Sequence, residues 1–255
     1  MSQTNLVFVD IGIKCGAHIS PRGRSYIELA DLVFVLVPDN ITEEFIGQMN
    51  ANVRSLMSCF QQGRSHLLSC QEIVATILTE VKIGKKVVIA FSDHPRTLPW
   101  ISHNAVKKAL KLGFKAHVEP GVSAKGCLYA DLGIDPLSTG CKHLDIKQLL
   151  FYKREIDTTS LLVLWQKSIL GDINFAKLIT DIEYRKVLVR LLVQYYPIEH
   201  EIILYEADTL SNKQPRTDYM PISALPNVVM DLKTILVIPP SAKAELKDRS
   251  FLAGI

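Results

Sequence analysis

The chain is organised by short apolar runs that alternate with segments of helical spacing. Asn5–Val9, Leu32–Val37 and Lys85–Phe91 each have the length of a strand and contain few polar residues. Between them, Pro21–Ala30 and Ser69–Val81 carry apolar residues at helical intervals. A strand without a polar face must be covered on both sides, as it is in parallel sheets built from βαβ units. The sequence therefore predicts an α/β fold that begins with a mainly parallel sheet.

The pattern changes in the second half of the chain. Three more runs of strand length, Ser160–Trp165, Glu201–Tyr205 and Thr234–Ile238, are interspersed with an amphipathic helix at Tyr184–Tyr195 and a turn-rich segment. This arrangement favours a meander and hence a mixed sheet. We predict two α/β lobes, residues 1–145 and 146–255, with a ligand cleft between them.

Composition narrows the class of protein. The chain has 255 residues, of which 48% are apolar and 22% charged, as in soluble globular proteins. A net charge of +3 gives no reason to expect nucleic acid or a membrane surface as partner, and no run approaches the ~18 apolar residues that span a bilayer. We find no secretion signal, and the five scattered cysteines suit reduced thiols, so we expect a cytoplasmic protein. The seven dispersed histidines predict no metal site.

The segment Glu119–Pro136 has the most specific local chemistry. Pro120-Gly121 forms a turn after a predicted strand, Ser123 is placed to cap a helix that begins at Ala124, and Gly133 suits the position after that helix. A strand, a tight turn and a capped helix direct unpaired backbone N–H groups at one spot, which suits an anionic or polar small ligand. An ordinary strand-to-helix connection explains the same residues and stays open as an alternative.

Polar residues follow the other strands as well. Asp10-Ile11-Gly12 ends the first strand, and Ser92–Arg96 follows the third. Within Ser92–Arg96, Asp, His and Arg side chains could bind a ligand or transfer protons, although an Asp–Arg pair in a polar loop explains them equally well. Gln166 and Tyr205–Asp208 follow strands of the second lobe. Because open α/β sheets bind ligands at the carboxyl ends of their strands, these positions favour a ligand in the cleft.

The order of these segments resembles the tetrapyrrole methylase family, two-lobed methyltransferases that bind S-adenosylmethionine between their lobes. Within that family the chain is most similar to the split, bacterial type of borosin methyltransferase, which methylates backbone amides of a precursor peptide. The resemblance covers nearly the whole chain. The segments that carry it are Ile19–Phe34, Lys85–Pro95, Gly113–Pro136, Leu161–Gln166, Tyr196–Ala207 and Thr234–Pro240.

The resemblance implies a cofactor, partners and a set of contact residues. The cofactor would be S-adenosylmethionine and the substrate a precursor peptide. The chain would pair as a homodimer or as a heterodimer with an intact paralogue. The residues expected to line the methyl-donor pocket are Gly12, His94, Pro95, Ser123, Ala124, Gln166, Glu206 and Ala207.

The chain departs from the family pattern at two sites. Asp10 replaces the first glycine of the opening G-x-G, and Arg96 replaces a glycine after the third strand, so both put a charged side chain beside the donor. On the helix after the second strand, relatives carry an Arg-x-x-x-Tyr pair implicated in handling the amide proton. His66 and Cys70 occupy these catalytic positions here, and Phe60 stands in place of an upstream tyrosine.

These substitutions lead to competing hypotheses. Because an amide N–H is a very weak acid, its methylation needs strong stabilisation in the transition state, and the replaced residues supply less of it. The first hypothesis is therefore a pseudoenzyme that serves as a binding or partner subunit. The alternative is an active methyltransferase with a divergent site that acts on a peptide or another nucleophile. A tetrapyrrole-modifying enzyme proper is the weakest of the three.

Overall fold

A computed structural model describes residues 4–37, 39–60, 65–92, 98–166, 182–209, 214–231 and 233–245. The described chain falls into two compact units. The first contains described residues up to 130 together with 207–209 and 214–215, and the second contains those of 131–166, 182–206 and 216–245. The sequence-based division into residues 1–145 and 146–255 stays a prediction.

The first unit is built on a parallel sheet of five strands in the order β3-β2-β4-β1-β5. Parallel pairing brings the carboxyl ends of all five strands to one edge of the sheet. The predicted parallel sheet is therefore confirmed. Its strands are β1 (Leu6–Asp10), β2 (Leu32–Leu36), β3 (Val53–Ser55), β4 (Val87–Phe91) and β5 (Ala116–Glu119).

Helices of the first unit cover both faces of this sheet. Val7 and Val33 belong to an apolar cluster with Ile27 of α1, whereas Phe8 lies in the cluster that contains Ile73 of α3. In the three central strands β1, β2 and β4, alternate residues therefore enter different cores, which explains why these strands lack a polar face. The helices are α1 (Pro21–Glu28), α2 (Asn40–Gly47), the 3₁₀ helix Met57–Cys59, α3 (His66–Lys82), α4 (Leu98–Lys111) and α5 (Ala124–Leu132).

The second unit contains the predicted mixed sheet, in the order β6-β7-β10-β8-β9. Strands β6 and β7 pair in parallel, and the remaining neighbours are antiparallel. Its elements are β6 (Cys141–Asp145), α6 (Ile146–Phe151), β7 (Leu161–Trp165), α7 (Ile182–Leu192), β8 (Glu201–Glu206), β9 (Arg216–Pro221), the 3₁₀ helix Ile222–Asn227 and β10 (Ile235–Ile238).

The cap of α2 is Asp39, whose carboxylate accepts hydrogen bonds from the backbone N–H of Thr42 at 2.8 Å and from its hydroxyl at 3.0 Å. Leu110 of α4 and Val187 of α7 are 54% and 40% exposed, so these two apolar side chains lie outside the core.

No helix in the described part of the chain combines the length and the apolarity that a membrane span requires.

Candidate functional site

The loop after β1 is held by the carboxylate of Asp10. Asp10 Oδ1 accepts the backbone N–H of Gly12 at 2.8 Å, and the N–H of Ile11 donates to the carbonyl of Phe91 at 2.8 Å. Gly12 has φ of +77°, and a Cβ built on it would lie 2.3 Å from the Cβ of His18. Only glycine fits at this position, and the carboxylate of Asp10 folds back onto its own loop.

A second close contact, between Gly121 and Asp10, packs the Glu119–Pro136 segment against this loop. A Cβ built on Gly121 would lie 2.5 Å from the carbonyl oxygen of Asp10 and 2.8 Å from its Cγ. Asp10 therefore occupies the space that a side chain at position 121 would need. Gly12 and Ser123, two residues predicted to bind the methyl donor, therefore lie at the same edge of the sheet.

The start of α5 has the predicted geometry. Ser123 Oγ accepts the backbone N–H of Gly126 at 3.2 Å, and the carbonyl of Ser123 accepts the N–H of Cys127 at 3.0 Å. Ala124 is buried, and Gly133 follows the helix with φ of +62°. The predicted cap is confirmed. Because the cap uses the hydroxyl oxygen as an acceptor, Ser123 can still donate its O–H to a ligand.

The segment that follows β8 also lies beside the loop after β1. The N–H of Cys15 donates to the carbonyl of Thr209 at 3.3 Å, and Lys14 Nζ lies 3.9 Å from a carboxylate oxygen of Asp208. The side chain of Asp208 is almost completely buried. Ala207 begins this segment, so three predicted donor-binding stretches of the chain meet within the first unit.

In the second unit, Gln166 is the most informative of the predicted residues. It follows Trp165 at the end of β7 and is only 2% exposed. Neither atom of its side-chain amide has a hydrogen-bond partner among the described residues. Because leaving a buried polar group unsatisfied costs about 1–3 kcal/mol, a ligand that hydrogen-bonds to this amide would gain affinity from it.

The carboxylate of Glu206 accepts hydrogen bonds from residues of the second unit. Glu206 Oε1 accepts hydrogen bonds from Arg216 Nη1 at 2.6 Å and from Thr234 Oγ1 at 2.7 Å. Arg216 also donates from Nε to Asp218 at 2.6 Å. Burial works against the charge of Arg216, but its bonds to Asp218 and Glu206 outweigh burial and raise its pKa. Sequence analysis missed Arg216, which lies opposite Glu206 in the β8–β9 register.

Cys70, one of the two catalytic candidates, lies in the apolar core of the first unit. It is 2% exposed on α3, and burial raises the pKa of its thiol to about 11. Phe60 packs against the same cluster of buried side chains. His66 is the first residue of α3, and its side chain lies outside the description. His94, Pro95 and Arg96 also lie outside the described residues.

The comparisons with known proteins agree with this architecture. Residues 5–217 match the family described as Tetrapyrrole (Corrin/Porphyrin) Methylases. The chain belongs to this family. Among solved structures of similar fold is the tetrapyrrole methylase uroporphyrin-III-C-methyltransferase from Thermus thermophilus, with a TM-score of 0.64, 14% identity and 93% of each chain covered. Diphthine synthase gives a TM-score of 0.63 at 14% identity and covers 94% of this chain and 91% of its own.

Fungal borosin proteins are among the relatives of this chain by sequence. The chain is 32% identical to a methyltransferase/ribosomally synthesized type I borosin cyclic peptide precursor of Coprinopsis marcescibilis, over 98% of this chain and 66% of that protein. It is 34% identical to the methyltransferase/omphalotin A precursor of Omphalotus olearius, over 94% of this chain and 58% of that protein. The chain thus spans between 58% and 66% of the length of these two relatives.

The residues present fit the methyl donor that tetrapyrrole methylases use. The amide of Gln166 and the buried hydroxyl of Ser92 at the end of β4 lack partners among the described residues. At Gly12 and Gly121 a Cβ would meet atoms of His18 and Asp10, so glycine is what lets these loops pack this closely. Taken unit by unit, buried polar atoms of this kind are groups to which a polar nucleoside derivative such as S-adenosylmethionine could hydrogen-bond.

Proposed function

We propose that this protein is a borosin-type tetrapyrrole methylase that binds S-adenosylmethionine and a precursor peptide but methylates backbone amides weakly or not at all. In this role it serves as a binding or partner subunit in the cytoplasm. It pairs with itself or with an intact paralogue. The observation that carries the proposal is Cys70, a buried neutral thiol at a position where the family resemblance implies a catalytic tyrosine.

Donor binding is supported by groups in both units, each taken by itself. In the first unit, close packing at Gly12 and Gly121 holds the loops after β1 and β5 together, and Ser123 has an O–H to donate. In the second unit, the amide of Gln166 offers a donor and an acceptor together. When bound, S-adenosylmethionine supplies an electrophilic methyl group.

The surroundings of Cys70 on α3 and of Phe60 support the proposal that amide methylation is weak. Methylating an amide nitrogen requires a group that takes up its proton or stabilises the charge that develops on the amide. The thiol of Cys70, with a pKa of about 11, stays neutral at physiological pH and is enclosed by apolar side chains. Phe60 keeps a ring at its position but has no hydroxyl group. These two positions therefore supply neither a charge nor a proton acceptor.

A peptide substrate is supported by the relatives. The names of the Coprinopsis and Omphalotus proteins describe a methyltransferase joined to a cyclic peptide precursor. A peptide of the same class is the natural ligand to propose for this chain. The net charge of +3 gives no reason to expect nucleic acid instead.

Replacing Gln166 tests the donor site. Gln166→Leu is expected to weaken binding of S-adenosylhomocysteine about tenfold or more, because a hydrogen-bonded amide is lost. The same change should leave the free energy of unfolding equal or raise it by about 1 kcal/mol, since it removes a buried amide that has no partner among the residues described. Isothermal titration calorimetry and urea unfolding measure the two effects.

Gln194→Leu provides the matched control. Gln194 is exposed and its amide donates to the carbonyl of Arg190 on the surface of α7. This variant should keep both the affinity and the stability of the parent. Loss of stability without loss of affinity in Gln166→Leu would show that Gln166 is a core residue and not a donor contact.

An active methyltransferase with a divergent site is the second candidate. It is favoured by a polar cluster where α1 meets β5. Arg22 Nη2 donates to the hydroxyl of Tyr26 at 3.1 Å, and Arg22 Nε lies 3.4 Å from Glu119 Oε2. His117 Nε2 lies 3.5 Å from the same oxygen. The cluster joins the turn at Pro120 and combines a guanidinium with a phenol at Arg-x-x-x-Tyr spacing, on a different helix from that of the relatives.

The two candidates differ in a methyl-transfer assay. Purified protein is incubated with S-adenosylmethionine and a candidate precursor peptide, and the peptide is analysed by mass spectrometry. The proposed function expects little or no methylated peptide. Clear methylation by the parent, abolished by Tyr26→Phe, would favour the divergent active site.

A further inference from the structure

His18 closes the loop after β1 with its imidazole ring. His18 Nδ1 accepts the backbone N–H of Ile13 at 3.3 Å and that of Lys14 at 3.2 Å. The backbone N–H of His18 donates to the carbonyl of Lys14 at 3.2 Å. Side chain and main chain of one residue therefore close the same short loop.

The geometry defines the chemical state of the ring. Because Nδ1 accepts two N–H groups, it carries no proton, and the neutral ring holds its proton at Nε2. The contact at Gly12 brings the ring close to the backbone, since a Cβ there would meet His18 Cβ at 2.3 Å. Without an acceptor at Nδ1, two main-chain donors of a half-buried loop would lose their partners.

The loop that His18 closes contacts two other predicted donor-binding segments of the first unit, those that begin at Pro120 and at Ala207. The backbone N–H of Gly12 donates a hydrogen bond to the carboxylate of Asp10, and Asp10 packs against Gly121. Further along the loop, the backbone N–H of Cys15 donates a hydrogen bond to the carbonyl of Thr209. A change in the path of this loop would therefore move Gly12 relative to the segments that begin at Pro120 and Ala207.

We infer that His18 is a positioning residue of the methyl-donor site. Its Nδ1 orients the amides of Ile13 and Lys14 and so fixes the loop that carries Gly12. The role requires a hydrogen-bond acceptor two bonds from Cβ. The link to the donor rests on the proposed function, whereas the effect on the loop does not.

Two substitutions separate this role from simple packing. His18→Asn places an amide oxygen at the same number of bonds from Cβ as Nδ1, so it can accept the same N–H groups. His18→Leu keeps the branching at Cγ but has no acceptor. His103→Leu, at an exposed position of α4, controls for loss of a histidine elsewhere.

Amide hydrogen exchange by NMR and calorimetric titration with S-adenosylhomocysteine give the two measurements. His18→Leu is expected to speed exchange of the Ile13 and Lys14 amides about tenfold or more and to weaken donor binding by a similar factor. His18→Asn should stay within about threefold of the parent in both, because an acceptor is retained.

Three outcomes decide the inference. Unchanged exchange in His18→Leu, or equal losses in the leucine and asparagine variants, would overturn it. Faster exchange with unchanged donor affinity would also overturn it, since the loop would then not position the donor site. If the parent protein binds no donor, the proposed function fails, and exchange alone decides whether His18 positions the loop.

Discussion

Gly12→Ala is expected to destabilise the protein by about 4 kcal/mol or more and to abolish binding of S-adenosylhomocysteine. Two effects combine at this position. A non-glycine residue at φ of +77° pays the cost of a left-handed conformation, about 1–2 kcal/mol. In addition, the new Cβ would lie 2.3 Å from His18 Cβ, so the loop after β1 must move. Urea unfolding and calorimetric titration measure the two losses.

Gly113→Ala is the control for backbone strain alone. Gly113 has φ of +86° after α4, and a Cβ there would meet no atom within 4 Å. It should therefore cost only about 1–2 kcal/mol and leave donor binding intact. Equal losses in the two variants would contradict the contact between Gly12 and His18.

Gly121→Ala is expected to cost about 3 kcal/mol or more and to weaken donor binding strongly. Its Cβ would lie 2.5 Å from the carbonyl oxygen of Asp10, a main-chain atom that cannot rotate away. Asp10→Gly in the same chain should not restore stability, because the carbonyl oxygen remains. The loops at Asp10 and Ser123 would be forced apart, which is measured by unfolding and by titration.

Gly126→Ala is the matched control on α5. A Cβ at Gly126 would meet only Ser123 Oγ, at 3.8 Å, so the change should be neutral or stabilise the helix by up to about 1 kcal/mol.

Rescue of Gly121→Ala by Asp10→Gly would show instead that the side chain of Asp10 is the obstacle. That result would revise the account of how this family member accommodates an aspartate at its opening loop.

The sequence predicts best those features that depend on local chemistry. Apolar runs without a polar face became the central strands, because each is covered on both sides. The cap at Ser123 and the glycine at position 133 were predictable because a hydroxyl and a positive φ are properties of single residues.

Features that depend on tertiary partners were not predictable. The edge strands β3, β6 and β9 carry polar, half-exposed residues and give no apolar signal. The bond between Glu206 and Arg216 needs the register of β8 and β9, and the acceptor role of His18 needs the path of the loop. That Gln166 is buried, with an amide that has no partner in the described part of the chain, likewise appears only once its surroundings are known.

Binding and chemistry in the proposed function depend on different kinds of contact. Close backbone contacts at Gly12 and Gly121 constrain the loops after β1 and β5 sterically. At Cys70 the contact is apolar packing, because a small buried side chain fills the core of α3. Under the proposed function, a change at Cys70 alters the chemistry without altering the loops.

The most direct test of this account is a calorimetric titration of the unmodified protein with S-adenosylhomocysteine. The account predicts saturable heat at micromolar ligand, lost in Gly12→Ala and retained in Gly113→Ala. No heat at high micromolar ligand would contradict the claim that the donor site is preserved.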